Sequence, residues 1–96
     1  MATEIVAERP VIVTTSYRGV FFGYASDTGG EVIKLRAARN CVRWPAAQRG
    51  FMGLAKYGPL DGARVGPSAD IELRSITSVI EVTPEAEAKW IGGPWS

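Results

Sequence analysis

Two short runs of strand-forming residues, only four residues apart, do most to limit what this chain can become. Val11-Ile12-Val13-Thr14-Thr15 is rich in β-branched side chains, and Val20-Phe21-Phe22-Gly23-Tyr24 repeats the signal with aromatic residues. Ser16-Tyr17-Arg18-Gly19 between them predicts the turn of an antiparallel hairpin. β-Branched side chains lose χ1 freedom against a helical turn and pack well on a pleated surface, which disfavours a helix through the first run. Gly23 weakens its strand unless the chain bends there or another backbone comes close, as happens where small sheets curl into barrels.

Short β-rich runs and turn residues alternate along the rest of the chain. Ser26-Asp27-Thr28-Gly29-Gly30 is a turn by composition. Ile33 and Leu35 then alternate with Lys34 and Arg36, the pattern of a half-buried strand. Ala37-Ala38-Arg39-Asn40 interrupts it as a turn or bulge before Cys41-Val42-Arg43-Trp44, which stops at Pro45. Residues 31–44 therefore read as two strands or one sharply bent strand. A helix from Leu35 to Val42 is the competing reading, because Ala-Ala-Arg favours helix. The glycine-rich stretch from Ala46 to Pro67 holds one candidate strand, Phe51–Tyr57, and a turn or long loop over Leu60–Gly66. Ile71-Glu72-Leu73-Arg74 alternates, and Thr77–Val82 resumes with the opposite phase, so a bulge or corner is expected between Leu73 and Ile76.

Thr83-Pro84-Glu85 is the clearest helix start: a hydroxyl to cap the first amides, a proline suited to the first turn, and an acid to complement the dipole. It predicts a short helix over about 84–91, ended by Gly92-Gly93-Pro94. Residues 1–9 read as a flexible lead, and 10–96 as a single small domain. The expected fold is mainly β: a small curled antiparallel sheet or barrel with a short C-terminal helix. A chain of 96 residues holds one modest core, so assembly into a homo-oligomer, a dimer or tetramer, is an expected source of stability.

The chemistry available is narrow. Histidine is absent, which removes the usual general base near neutral pH and the commonest zinc ligand. The lone Cys41 can form neither an internal disulfide nor a Cys-His pair. Glu31, Asp61, Asp70, Glu72 and Glu81 are scattered over turns and strand faces, and no glycine spacing fits a phosphate loop or dinucleotide fingerprint. The expectation is a protein that binds without catalysis and without a cofactor or metal. Eleven Lys and Arg against ten Asp and Glu leave a charge of +1, so any anion site must be local. No window approaches the roughly 18 apolar residues of a membrane-spanning helix, and the default location is cytoplasmic.

What remains is a recurrence of basic residues beside aromatic or amide ones, mostly at turns: Tyr17-Arg18, Arg39-Asn40, Arg43-Trp44 and Lys56-Tyr57, with Arg64 downstream. Planar rings stack on bases, Arg and Lys hold phosphates, and Asn reads base edges. The bland alternative is that Trp44 and Tyr57 fill a small core while the arginines solubilise the surface. Phe21, Phe22, Trp90 and Trp95 read as core or interface residues.

The order of strands, with an R-G turn, an F-x-G strand and a third strand ending in L-x-x-A-R-N, resembles small Sm-like and SH3-like barrels over Val11–Val82. The Sm-like family has its helix before the barrel, whereas here a helix follows it. That likeness implies binding of RNA or single-stranded DNA. At finer grain, VIVTTSYRGVFFGY, LRAARNCVRWP, GFMGLAKYGP, RVGP and the late I-x-L-x-x-I-x-S-V-x-E-V-T-P-E-A-x-x-K-W resemble a family of small phage-encoded proteins mostly without known function. Phage proteins of this size and architecture include sponges of the anti-CBASS type. These sequester cyclic oligonucleotide or related immune signals in the infected bacterial host. This resemblance implies a cyclic dinucleotide-like ligand gripped by Tyr17, Arg18, Arg39, Asn40, Arg43, Trp44, Lys56, Tyr57 and Arg64. A virion or protein-interaction module, with the aromatics marking a partner surface, is the third reading.

Overall fold

The two opening runs pair as an antiparallel hairpin, β1 (Arg9–Thr15) against β2 (Val20–Ala25), with Ile12 opposite Phe22 and Thr14 opposite Val20. The computed structural model describes residues 8–16, 19–44, 46–60 and 62–92. The expected lead of residues 1–9 lies outside them up to residue 7. Its end is ordered: Glu8 ion-pairs with Arg36 at 2.7 Å and Arg9 begins β1. Pro45, Asp61, Gly93, Pro94 and Trp95 also lie outside the described residues.

Residues 31–44 resolve into one bent strand, β3 (Ile33–Arg43), with no helix between Leu35 and Val42. Branched Ile33 and Val42 and the alternation around Leu35 outweigh the short Ala-Ala-Arg preference. The bend is a bulge at Ala37, whose φ is +53°. Against β2, Arg36 and Arg39 face Tyr24 and Phe22, so two residues of β3 oppose the single Gly23. The displaced Ala37 amide donates instead to Asp70 Oδ1 at 2.9 Å. Gly23 is required here, because a Cβ on it would stand 2.8 Å from that of Leu35.

On its other side β3 is shared. Its first half pairs with β5 (Ala69–Leu73) and its end with β4 (Arg64–Val65), giving a six-stranded antiparallel sheet. β6 (Ile76–Glu81) joins the opposite edge beside β1. Only Arg74 and Ser75 separate β5 from β6, so the two edges must approach each other and the sheet must curl. The expected corner lies there, with Ser75 at φ +59°.

Phe51–Tyr57, expected as a strand, is instead most of helix α1 (Gly50–Tyr57), preceded by a 3-10 turn over Ala46–Gln48. Its aromatic residues favour a strand and its glycines disfavour a helix, but Leu54 and Ala55 are buried on one helical face and tertiary packing overrides propensity. α2 (Pro84–Gly92) follows the Thr83 cap as expected.

The sheet has apolar residues on both faces. Inside the curl lie Val11, Val13, Ile33, Leu35, Ala38 and Leu73. The opposite face carries Ile12, Val20, Phe22 and Cys41, covered by Leu54 and Ala55 of α1 and by Ala86 and Trp90 of α2. β1 therefore reads as a continuous apolar run because both of its faces are buried. Trp90 is fully buried, stacks on Phe22 at 5.0 Å and donates its indole N–H to the Leu54 carbonyl.

Candidate functional site

The α1 helix positions the most suggestive group of side chains. Arg49, at the helix start in the left-handed region, lies one face-repeat before Met52, Gly53 and Lys56, since helical positions 3, 4 and 7 apart share a face. With Tyr57, Ile80, Glu81 and Thr83 they line an open groove of about 320 Å³ between α1 and the end of β6. Lys56 and Tyr57 are both exposed, and the ammonium sits 5.4 Å from the centre of the Tyr57 ring. Among the described residues the groove holds two cations and one carboxylate, and that carboxylate, Glu81, is engaged by Arg9 at 2.8 Å. Such a lining offers a ring face for stacking and two flexible cations for an anion.

The other predicted site residues are dispersed. Tyr17 and Arg18 lie outside the described residues. Arg39 is turned into the fold by the Ala37 bulge, which shifts the alternation so that Leu35 and Ala38 share one face and Arg39 and Cys41 the other. There its guanidinium donates to the Gly66 and Trp90 carbonyls, both at 2.8 Å, clasping the last turn of α2 to β3. Asn40 is exposed and edges a separate cavity of about 250 Å³ with Phe21, Ala38 and Pro67. Trp44 is half-buried against the helix-covered core. Arg43 and Arg64 are register partners on β3 and β4, both exposed. The seven candidates among the described residues thus form no single pocket: Lys56 and Tyr57 share the α1 groove, Arg43 and Arg64 share the β3–β4 ribbon, and Arg39 serves the fold.

A larger groove of about 490 Å³ lies on β3 and β5, lined by Glu8, Tyr24, Lys34, Arg36, Asp70 and Glu72 among others. Among the described residues its carboxylates outnumber its cations, and two of those carboxylates are already ion-paired, Glu8 with Arg36 and Glu72 with Arg74. Tyr24 is pushed up to about 12 by burial and by its 2.7 Å hydrogen bond to Glu87, and Arg36 lies over its ring. The Tyr24 hydroxyl is thus a fixed donor across the neutral range.

Sequence reasoning missed Arg49, Met52 and Glu81. On a strand, Lys56 and Tyr57 point to opposite faces and Arg49 has no relation to either. Reading the stretch with a 3.6-residue period would have aligned Arg49, Met52, Gly53 and Lys56. Among the described residues no group of three or more His, Cys, Asp or Glu is placed to hold a metal ion, and no helix is long and apolar enough to cross a membrane. Residues 8–90 match a family model described as a domain of unknown function, DUF6948. No curated protein and no solved structure matches the chain.

Proposed function

We infer the role of this chain, which belongs to the DUF6948 family, from the α1 groove: it binds a small ligand bearing an aromatic base and phosphate, and releases it unchanged. The observation that carries this reading is the convergence of Arg49, Lys56 and Tyr57 on one open groove in which, among the described residues, the one lining carboxylate is already paired. A base stacks on Tyr57 as the Lys56 ammonium swings from the ring face to a phosphate, with Arg49 as the second phosphate donor. The groove offers stacking and charge-assisted hydrogen bonds, which suffice for reversible capture.

In its fullest form the reading is the one the phage resemblance implies, a sponge that sequesters a cyclic dinucleotide-like immune signal in an infected bacterium. Thermal-shift titration with cyclic dinucleotides tests it, with the ligand recovered after denaturation and identified by mass. Tyr57→Ala should weaken binding about 5- to 150-fold, since stacking is worth about 1–3 kcal/mol per base. The recovered ligand should be intact. No shift with any cyclic dinucleotide removes the reading; a shift only with oligonucleotides moves it to single-stranded nucleic acid.

One observation favours a second reading. Met52 is 60 % exposed and Phe51 39 % exposed on the same helix, an apolar surface suited to a protein partner. Capture of a defined protein by the native chain, lost in Met52→Glu while the cyclic dinucleotide shift is absent, is the outcome that would favour it.

A further inference from the structure

We propose that Arg43 and Arg64 form a second anion site, independent of the α1 groove, that takes a phosphate-type oxyanion at the β3–β4 edge. The two residues are register partners in an antiparallel ribbon, and both are exposed while the neighbouring partners Cys41 and Val65 are buried, so the two guanidinium groups leave the ribbon on its solvent side. Like charges directly opposite each other destabilise a ribbon unless something neutral or negative lies between them.

The fold treats the other described arginines in and beside the sheet differently. Arg9, Arg36 and Arg74 each hold a carboxylate, on Glu81, Glu8 and Glu72, and Arg39 holds two carbonyls. Among the described residues no carboxylate is in ion-pair contact with Arg43 or Arg64. The pairing itself is irregular: Cys41 faces Val65 and Arg43 faces Arg64, so Val42 is an extra residue on the β3 side. β4 is two residues long, and its partner contacts with β3 consist of one buried apolar pair and this arginine pair.

Two guanidinium forks on one side of a ribbon match an oxyanion with several acceptor oxygens, because each fork donates two parallel N–H groups. A single-acceptor halide gains little from that geometry. The ligand is therefore a phosphate-type group, either a free pyrophosphate or the phosphodiester of a larger molecule.

The test is thermal unfolding in pyrophosphate, compared with sodium chloride at equal ionic strength, for the unaltered chain, R64E, R43Q and the groove variant R49A/K56A. The unaltered chain should gain several degrees in millimolar pyrophosphate beyond the chloride control. R64E, which sets opposite charges across the ribbon, should melt no lower than the unaltered chain without pyrophosphate, and should lose the gain. R43Q should lose it as well, and R49A/K56A should keep it. A short oligonucleotide arm separates the sources: a larger gain with it than with pyrophosphate assigns the site to a phosphodiester, the reverse to a free anion. The proposal is overturned if R64E and R43Q both respond like the unaltered chain, or if pyrophosphate does no more than chloride. A gain lost only in R49A/K56A would overturn it while leaving the groove reading intact.

Discussion

A methyl group on Gly53 would stand 1.6 Å from the Gln48 carbonyl oxygen, a backbone atom that cannot rotate away. Gln48 itself is buried, donating from Nε2 to the Gly58 carbonyl and accepting the Leu60 amide at Oε1, so the 3-10 turn is pinned to the exit of α1. Gly53→Ala is therefore expected to destabilise the fold by about 3 kcal/mol, the upper end of ordinary overpacking, although alanine is the better helix former. A urea midpoint shifted upward, as propensity alone predicts, would show that the turn yields. Arg49 belongs to the same construction: its left-handed backbone turns the chain from the 3-10 segment into the helix and delivers its side chain to the groove.

The two helices are coupled through Thr83. Its hydroxyl accepts the Ala86 amide at 3.1 Å, as an N-cap should, and donates to the Lys56 carbonyl at 2.6 Å, while its own amide donates to the Ala55 carbonyl. One side chain thus starts α2 and satisfies the end of α1. Thr83→Ala should lose about 1–2 kcal/mol and Thr83→Ser should recover most of it, read as urea midpoints at unchanged slope. The cap was legible in Thr83-Pro84-Glu85 because capping is local chemistry. The β1–β2 hairpin and the corner between Leu73 and Ile76 were legible for the same reason, as period and phase are written in adjacent residues. α1 was not, since Phe51, Met52 and Tyr57 suit a strand and only contact with Trp90 and Val82 decides otherwise. Nor could the sequence show that Arg39 clasps α2, because that depends on a one-residue bulge at Ala37. The candidate site was half legible: Lys56 and Tyr57 were singled out, but Arg49 joined them only once the helical period was known.

Across the whole molecule, burial sets a boundary at high pH. Cys41 is pushed from 9.0 up to about 11 by burial, and Tyr24 from 10.0 up to about 12 by burial and then by Glu87. In both, the neutral form is favoured in the folded state. The unfolded thiol ionises near 9 while the folded one keeps its proton to about 11, so over that interval the unfolded chain binds fewer protons and stability falls. Tyr24 adds the same trend from 10 to 12. These two groups leave stability flat below pH 9. Urea midpoints should therefore drop as pH rises from 9 to 12, with Cys41→Val flattening the lower part and Tyr24→Phe the upper. A midpoint that rises over this range would contradict the burial of both groups. The pairing of Ile12 with Ile80 and the stacking of Phe22 on Trp90 join the two ends of the described chain. On a ribosome adding about 5–20 residues per second, Phe22 therefore waits roughly 3–14 s for Trp90 to be made. During that time the β1–β2 hairpin is a newborn segment with one uncovered oily face, and the last helix is the piece whose arrival ends its exposure.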